Sequence, residues 1–204
     1  TLQDKLDHGP IPQKEAMKIY IQLISVIRYL HQDIGVSHLY LNPSSILFDE
    51  NDNVKLTKFI YHQNIGGSED MYVNSRNNPF YNSPEISSGK PFNYKSDIWS
   101  LGVLFFYIQF HELPFYDPSI SILLEMITTM QPIYQHCNSD FHQLLKDMLD
   151  KNPEERLDIE AVISSPFFSN CKFVDPTNIT LNDQIGKQIL RKMNQIGANT
   201  QSIH

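Results

Sequence analysis

The run Ile98-Trp99-Ser100-Leu101-Gly102-Val103-Leu104-Phe105-Phe106-Tyr107-Ile108-Gln109-Phe110 is the longest apolar stretch of the chain, and it constrains the fold more than any other segment. It falls well short of the roughly 18 to 20 apolar residues that a membrane span requires. Read as a helix, it is apolar nearly all round, and such a helix has to be wrapped by other elements. The rest of the chain has the means to do so: 41% of its 204 residues are hydrophobic and 11% aromatic, too many for a disordered chain. The expectation is one globular domain, alone or with a tail. With 23 Asp and Glu against 16 Lys and Arg, the formal charge of −7 argues against a basic nucleic-acid-binding surface.

Periodicity places other helices around that run. From Gln13 to His31, Ala16, Ile19, Tyr20, Leu23, Ile24, Ile27 and Leu30 recur at three- and four-residue steps, the pattern of an amphipathic helix. Thr1 to Leu6 is a short helical segment closed by Asp7-His8-Gly9-Pro10. Ser45 to Phe48 and Val54 to Phe59 flank Asp49-Glu50-Asn51-Asp52-Asn53, which signals a β-hairpin. Tyr61 to Asn82 holds no sustained period and reads as a long loop. Further helices are expected over Asp97 to Phe110, Ser119 to Met130, Asp140 to Leu149 and Asp158 to Ile163, separated by prolines. In the tail, Leu181, Ile185, Ile189, Leu190 and Met193 lie at helical steps, a face that docks on its own domain or on a partner.

Cys137 and Cys171 are the only cysteines and stand in no ligand-like spacing, so neither a disulfide scaffold nor a zinc site is expected, and a reducing compartment fits. His136, Cys137 and His142 lack a fourth ligand and are read as a solvated loop and helix start; no metal is assigned. The first residues are polar, unlike a signal peptide, and the chain does not start with Met, which suggests a segment of a longer protein.

The most specific signal is an ordered series: His38-Leu39-Tyr40-Leu41-Asn42-Pro43-Ser44-Ser45-Ile46-Leu47, Val54-Lys55-Leu56-Thr57-Lys58-Phe59-Ile60, Tyr81-Asn82-Ser83-Pro84-Glu85, Ser96-Asp97-Ile98-Trp99-Ser100-Leu101-Gly102, and Asn152-Pro153-Glu154-Glu155-Arg156. In that order and spacing it resembles the C-terminal lobe of a eukaryotic protein kinase of the Ser/Thr branch, from about Thr1 to about Phe168. The resemblance implies a mainly α fold with a small β-hairpin and no N-terminal lobe in this chain. The domain division is then a kinase-like lobe over 1–168 and a tail with an amphipathic helix over 169–204.

Carried over position by position, the framework survives and the chemistry does not. The family's catalytic Asp is matched by Tyr40, and a phenol is protonated at neutral pH, a donor where an anionic acceptor is required. The phosphate-contacting Lys is matched by Asn42 and the metal-binding Asn by Ser45. At the second metal-binding position, Lys58 replaces an Asp, so an ammonium stands where a carboxylate would hold Mg²⁺. Leu39 lacks the guanidinium that reads a phosphorylated loop, which leaves Ser68, Tyr72 and Ser75 without that reader. Asn77-Asn78-Pro79-Phe80-Tyr81 carries Asn78 at the family's usual Thr.

On the resemblance, the retained positions are structural: His38, Phe59, Glu85, Asp97 and Arg156, with Ile46 and Leu47 at the floor beneath adenine. Glu85 and Arg156 make either a buried pair or a surface ion pair. Lys58 is either solvated or paired with a carboxylate or a phosphate.

The reading is a pseudokinase: a degenerate, catalytically deficient kinase-like domain with no catalytic residues, acting as a scaffold or allosteric partner in signalling. Its expected partners are proteins, an active kinase or its regulator, with neither nucleic acid nor a membrane segment, in an intracellular, cytoplasmic setting. Oligomeric state is not legible. No cofactor is expected. The alternatives are a Ser/Thr kinase with atypical catalytic residues, and a module that binds ATP without transferring phosphate.

Overall fold

The computed structural model describes residues 1–58, 78–134 and 136–173. Phe59, most of the loop expected over Tyr61 to Asn82, and the tail helix expected over Thr180 to Met193 lie outside the described residues.

The chain opens with α1 (Leu2–Asp7), started by a capping box in which Thr1 Oγ1 accepts Asp4 N and the Asp4 carboxylate accepts the terminal ammonium of Thr1. Leu2 and Leu6, one turn apart, are its buried face. In α2 (Gln13–Arg28) the residues with apolar spacing, Ala16, Ile19, Tyr20, Leu23, Ile24 and Ile27, are all buried. The helix expected to run to His31 changes hydrogen-bond pattern instead: Tyr29–Ile34 is a π-helical turn, stopped by Gly35 at φ 73°. That left-handed conformation is open to glycine at little cost.

Strands β1 (Ile46–Phe48) and β2 (Val54–Leu56) pair antiparallel, with Ile46 opposite Leu56 and Phe48 opposite Val54. Ile46, Val54 and Leu56 face the core while Leu47 and Lys55 point outward, as a two-residue period demands. The carboxylate of Asp49 accepts the backbone amides of Asn51 and Asn53 at 3.0 and 2.9 Å, closing the turn between them. Both strands are shorter than the sequence pattern suggests.

After a 3₁₀ turn at Pro79–Tyr81 and a short α3 (Pro84–Ser87) comes α4 (Lys95–Phe110), the apolar run. Ile98, Trp99, Leu101, Val103, Leu104, Phe105, Phe106 and Ile108 are all buried, so the helix is enclosed on every side. Its wrapping comes from α2, through the Tyr20 ring 4.2 Å from that of Phe105, and from α6 (Ser139–Met148) and the turn after it. A Cβ on Gly102 would lie 3.0 Å from Leu149 Cδ2 and 3.1 Å from Met148 Cβ, so this glycine sets how closely α4 and α6 approach. α5 (Ile120–Thr129) packs on α3 and the Pro79–Tyr81 turn, burying Leu123 and Ile127 and leaving Ile120 and Ile122 about half exposed. α7 (Ile159–Ile163), capped by the Asp158 carboxylate on Ala161 N at 2.8 Å, and a 3₁₀ turn at Pro166–Phe168 complete the core. Among the described residues the β1–β2 hairpin is the only sheet, and no helix is long and apolar enough to cross a membrane.

Candidate functional site

The loop that leaves Gly35 is anchored by one carboxylate. Asp97, in the first turn of α4 and fully buried, accepts His38 N at 2.7 Å and Leu39 N at 2.8 Å. The His31 ring, delivered by the π-helical turn, is the third partner, with Nε2 2.8 Å from the same oxygen that holds His38. Burial pushes the Asp97 carboxyl up, but the hydrogen bond and charge of His31, followed by His38, outweigh it and hold it below the ordinary carboxylate value. Leu39 is bent to φ 61°, a conformation that costs a non-glycine residue about 1–3 kcal/mol and that these bonds over-determine.

His38 is also fully buried, and burial pulls its imidazole down to about 4, against the opposing pull of Asp97 and the Thr57 carbonyl. It is therefore neutral at pH 7. One tautomer satisfies both ring nitrogens: Nε2–H donates to Thr57 O at 3.1 Å, and Nδ1 accepts Tyr40 N at 3.2 Å. The His38 ring thus ties the loop to the strand end that carries Lys58.

The next residues close on themselves. Asn42 Oδ1 accepts Ser44 N at 3.0 Å and Ser44 Oγ at 2.7 Å, while Nδ2 donates to Tyr40 O at 3.0 Å. Ser45 Oγ accepts Asn42 N at 3.1 Å and donates to Asn42 O at 2.8 Å. Asn42 is 1% exposed and Ser45 0%, so the polar atoms of both are spent inside a capped 3₁₀ turn, Pro43–Ser45. Lys58 stands at φ 60° and is exposed, and its Nζ donates to Ser44 Oγ at 3.2 Å. Among the described residues this hydroxyl is its hydrogen-bond partner, and the rest of the ammonium faces solvent. Ile46 is fully buried beneath this turn, and Leu47 points away from it at 37% exposure.

A second constellation sits at the base of α3 and α4. Arg156 grips Glu85 with two parallel bonds, Nη1 to Oε1 at 2.8 Å and Nη2 to Oε2 at 2.9 Å, at side-chain exposures of 0% and 4%. Its remaining donors reach Lys95 O and Asp150 O, both at 2.9 Å, and Ser96 Oγ donates to Glu85 Oε1 at 2.6 Å. Burial raises the Glu85 carboxyl, yet the bonds and charge of Arg156 and the Ser96 hydroxyl bring it below its ordinary value. The pair is a fully hydrogen-bonded buried one, and the surface alternative does not describe it.

The structure thus joins His38 to Asp97 and Glu85 to Arg156, and it sets Tyr40, Asn42 and Ser45 on one hydrogen-bonded loop that Lys58, beyond the end of β2, reaches through Ser44. His31 and Ser96 belong to these networks, and sequence reading missed both. His31 sits in a helical pattern that explains it without a partner, and Ser96 has only its position beside Asp97 to mark it. Chemically, the loop presents an ammonium and a phenol and no carboxylate. Among the described residues no group of three or more His, Cys, Asp or Glu is placed to hold a metal ion, and Tyr40, Ser45 and Lys58 do not form a donor set that fits Mg²⁺.

Comparison with known proteins adds the following. The family model described as "Protein kinase domain" matches residues 1–168. The serine/threonine-protein kinase ppk34 of Schizosaccharomyces pombe is 34% identical over 179 residues, covering 80% of this chain and 48% of the relative. The SNF1-related protein kinase catalytic subunit alpha KIN12 of Arabidopsis thaliana is 31% identical over 166 residues, covering 81% and 33%. The serine/threonine-protein kinase PLK4 of Nematostella vectensis is 27% identical over 177 residues, covering 84% and 18%. The chain spans about half the length, or less, of these curated relatives.

Proposed function

This chain belongs to the protein kinase domain family, and we propose that within it the chain is a catalytically deficient member, corresponding to a kinase C-terminal lobe, that acts through protein partners as a scaffold or allosteric subunit. One observation carries this reading: the closed Asn42–Ser45 turn. Where phosphoryl transfer requires a phosphate-contacting cation and a metal ligand facing the nucleotide, Asn42 and Ser45 are buried, with Ser45 Oγ bonded to the Asn42 backbone and the Asn42 amide bonded to Tyr40 O and Ser44. Tyr40 beside them supplies no base, and Lys58 opposes a divalent cation. Such groups act as a unit, so their joint loss removes more than any single change. His38, Asp97, Glu85 and Arg156 keep the framework in shape without it.

A kinase assay with Mg²⁺ or Mn²⁺, on the chain and on a Tyr40→Asp/Ser45→Asn/Lys58→Asp variant, tests the reading. No transfer above background by the unsubstituted chain is expected, and substantial transfer would sink it.

A second reading is favoured by Lys58 itself, an exposed ammonium held by a hydroxyl, and by the relatives' names: a chain that binds a nucleotide, with or without atypical transfer. Thermal unfolding with ATP, with and without Mg²⁺, separates the two, because a ligand that binds the folded state raises its stability by mass action. Stabilisation that ignores Mg²⁺ supports Lys58 as a phosphate contact, and no stabilisation supports a scaffold alone.

A further inference from the structure

Ile122 and Met126 on α5, and Met130 at its end, stand four residues apart and so form one row along the helix. The row keeps its helical register to the last position, where Met130 N donates to Met126 O at 3.0 Å. Ile122 is 48% exposed, Met130 50% and, just beyond, Ile133 86%. Apolar side chains scattered singly over a surface need no explanation, but a continuous row of them marks a face that something covers.

The charges around the row have one sign. Residues 96–145 hold no Lys or Arg, and outside the core their acids are Glu112, Asp117, Glu125 and Asp140. Glu125, exposed and next in sequence to Met126, takes part in no ion pair among the described residues, and neither does Asp140. The ammonium that α5 does meet, that of Lys151 on Ile127 O, is half-buried against the rings of Trp99 and Phe115. The opposite character appears in the chain beyond residue 173: residues 184–204 carry Lys187, Arg191 and Lys192 and no Asp or Glu. Ile185, Ile189, Met193 and Ile196 recur there at steps of four, four and three, the spacing of an apolar helix stripe, and a helix drawn through them would put Lys192 at the edge of that stripe.

We propose that residues 185–196 of this chain dock as an amphipathic helix on the row of Ile122, Met126 and Met130 and on Ile133, held by apolar burial and by attraction between the three bases and the acidic rim.

The place where the described chain ends allows this. Phe173 lies 5.6 Å from Phe168, ring to ring; Phe168 meets Phe167 at 4.9 Å, and Phe167 meets Phe141 at 4.7 Å. His142, the next residue, meets Tyr134 at 4.5 Å, and Tyr134 follows Ile133. The eleven residues 174–184 reach about 36 Å when extended, more than this series of ring contacts spans. In helical rise the row from Ile122 to Met130 is about 12 Å long and the stripe from Ile185 to Ile196 about 16 Å, so one covers the other. A short tether also keeps the segment at an effective concentration of about millimolar, an advantage that a second copy or a separate partner lacks. The contact holds whether or not the chain transfers phosphate, and while it is made the row is closed to other partners.

Carbodiimide coupling, which joins a carboxylate to a lysine in contact with it and leaves no spacer, tests this on the folded full chain, with peptide mass spectrometry of the monomer band. Glu125 or Asp140 is expected to couple to Lys187 or Lys192 with a yield that does not depend on protein concentration. The variant Ile189→Glu/Met193→Glu, which leaves the described core untouched, should lose this coupling. In dilute peroxide it should also oxidise Met130 several-fold faster than the unsubstituted chain does, while the fully buried Met148 keeps its rate. Glu125→Lys should speed Met130 in the same direction. No coupling in the monomer band, or coupling confined to a dimer band, which would give the row to a second copy, overturns the proposal. An unchanged Met130 rate in the tail variant overturns it as well.

Discussion

At the residue scale, the described part of the molecule rests on two buried carboxylates whose charges are fully spoken for. Removing the partner of one should be costly: Arg156→Met leaves Glu85 buried and uncompensated, and the loss expected in urea unfolding is about 3–5 kcal/mol. The double variant Glu85→Met/Arg156→Met should lose less than the two single variants summed, since the orphaned charge goes with its partner. His38 sets the acid limit. Folded, its imidazole titrates near 4, and unfolded near 6.5. Between those values the unfolded chain binds a proton that the folded chain refuses, so stability falls as pH drops from 6.5 to 4, by about 3 kcal/mol in all. Glu85 and Asp97, both held below their ordinary values of 4.5 and 3.8, protect the fold above those values and add to the loss at lower pH. Urea midpoints measured across this range check the trend, and a midpoint that does not change between pH 6.5 and 4.5 would contradict it. The motif positions of Glu85, Arg156, Asp97 and His38 were legible in the sequence. Their full networks were not, because the bond from His31 to Asp97 spans 66 positions and leaves no local pattern.

At the element scale, helix existence was legible and helix ends were less so. The spacing from Ala16 to Leu30 continues past Arg28 without a break, because a π-turn moves the buried stripe only slightly; hydrogen bonding, not hydrophobicity, distinguishes it. On α5 the structure buries Leu123 and Ile127 and leaves Ile120 and Ile122 about half exposed, a division that the apolar run over Ile120 to Ile127 does not mark in the sequence. Gly102 carried no sequence signal of its role. In a helix interior, alanine is favoured over glycine by about 1 kcal/mol. At Gly102 the sign should reverse. Met148 Cβ at 3.1 Å is fixed to its own backbone and cannot swing aside, so overpacking of about 1–3 kcal/mol is expected to outweigh the gain. Chemical denaturation of Gly102→Ala measures this, and a stabilised variant would show that α6 moves away freely.

At the scale of the whole molecule, one core joins α1 at the start of the chain to Phe168 near the end of the family match. The all-round apolar run already required such an enclosure, and composition showed that there was enough material to build it. What composition left open was the order of wrapping, which depends on contacts such as that of Tyr20 on Phe105, 85 positions apart. A single core predicts a single transition. Trp99 is the chain's only tryptophan and lies at the centre of that core, so its fluorescence should change at the same urea concentration as the far-UV circular dichroism. Separated midpoints would divide the core into independently unfolding parts.

The closed turn at Asn42–Ser45 also bears on the order in which substitutions can accumulate. A longer side chain at Ser45, which has no exposed surface, must open the turn and strip Asn42 N of its acceptor before any new ligand is gained. A metal ligand introduced at Ser45 therefore begins with a loss of stability, while changes at the exposed Lys58 leave the turn's hydrogen bonds between Asn42 and Ser45 in place. Ser45→Asn is expected to lower the urea midpoint, and Lys58→Asp to leave it nearly where it was.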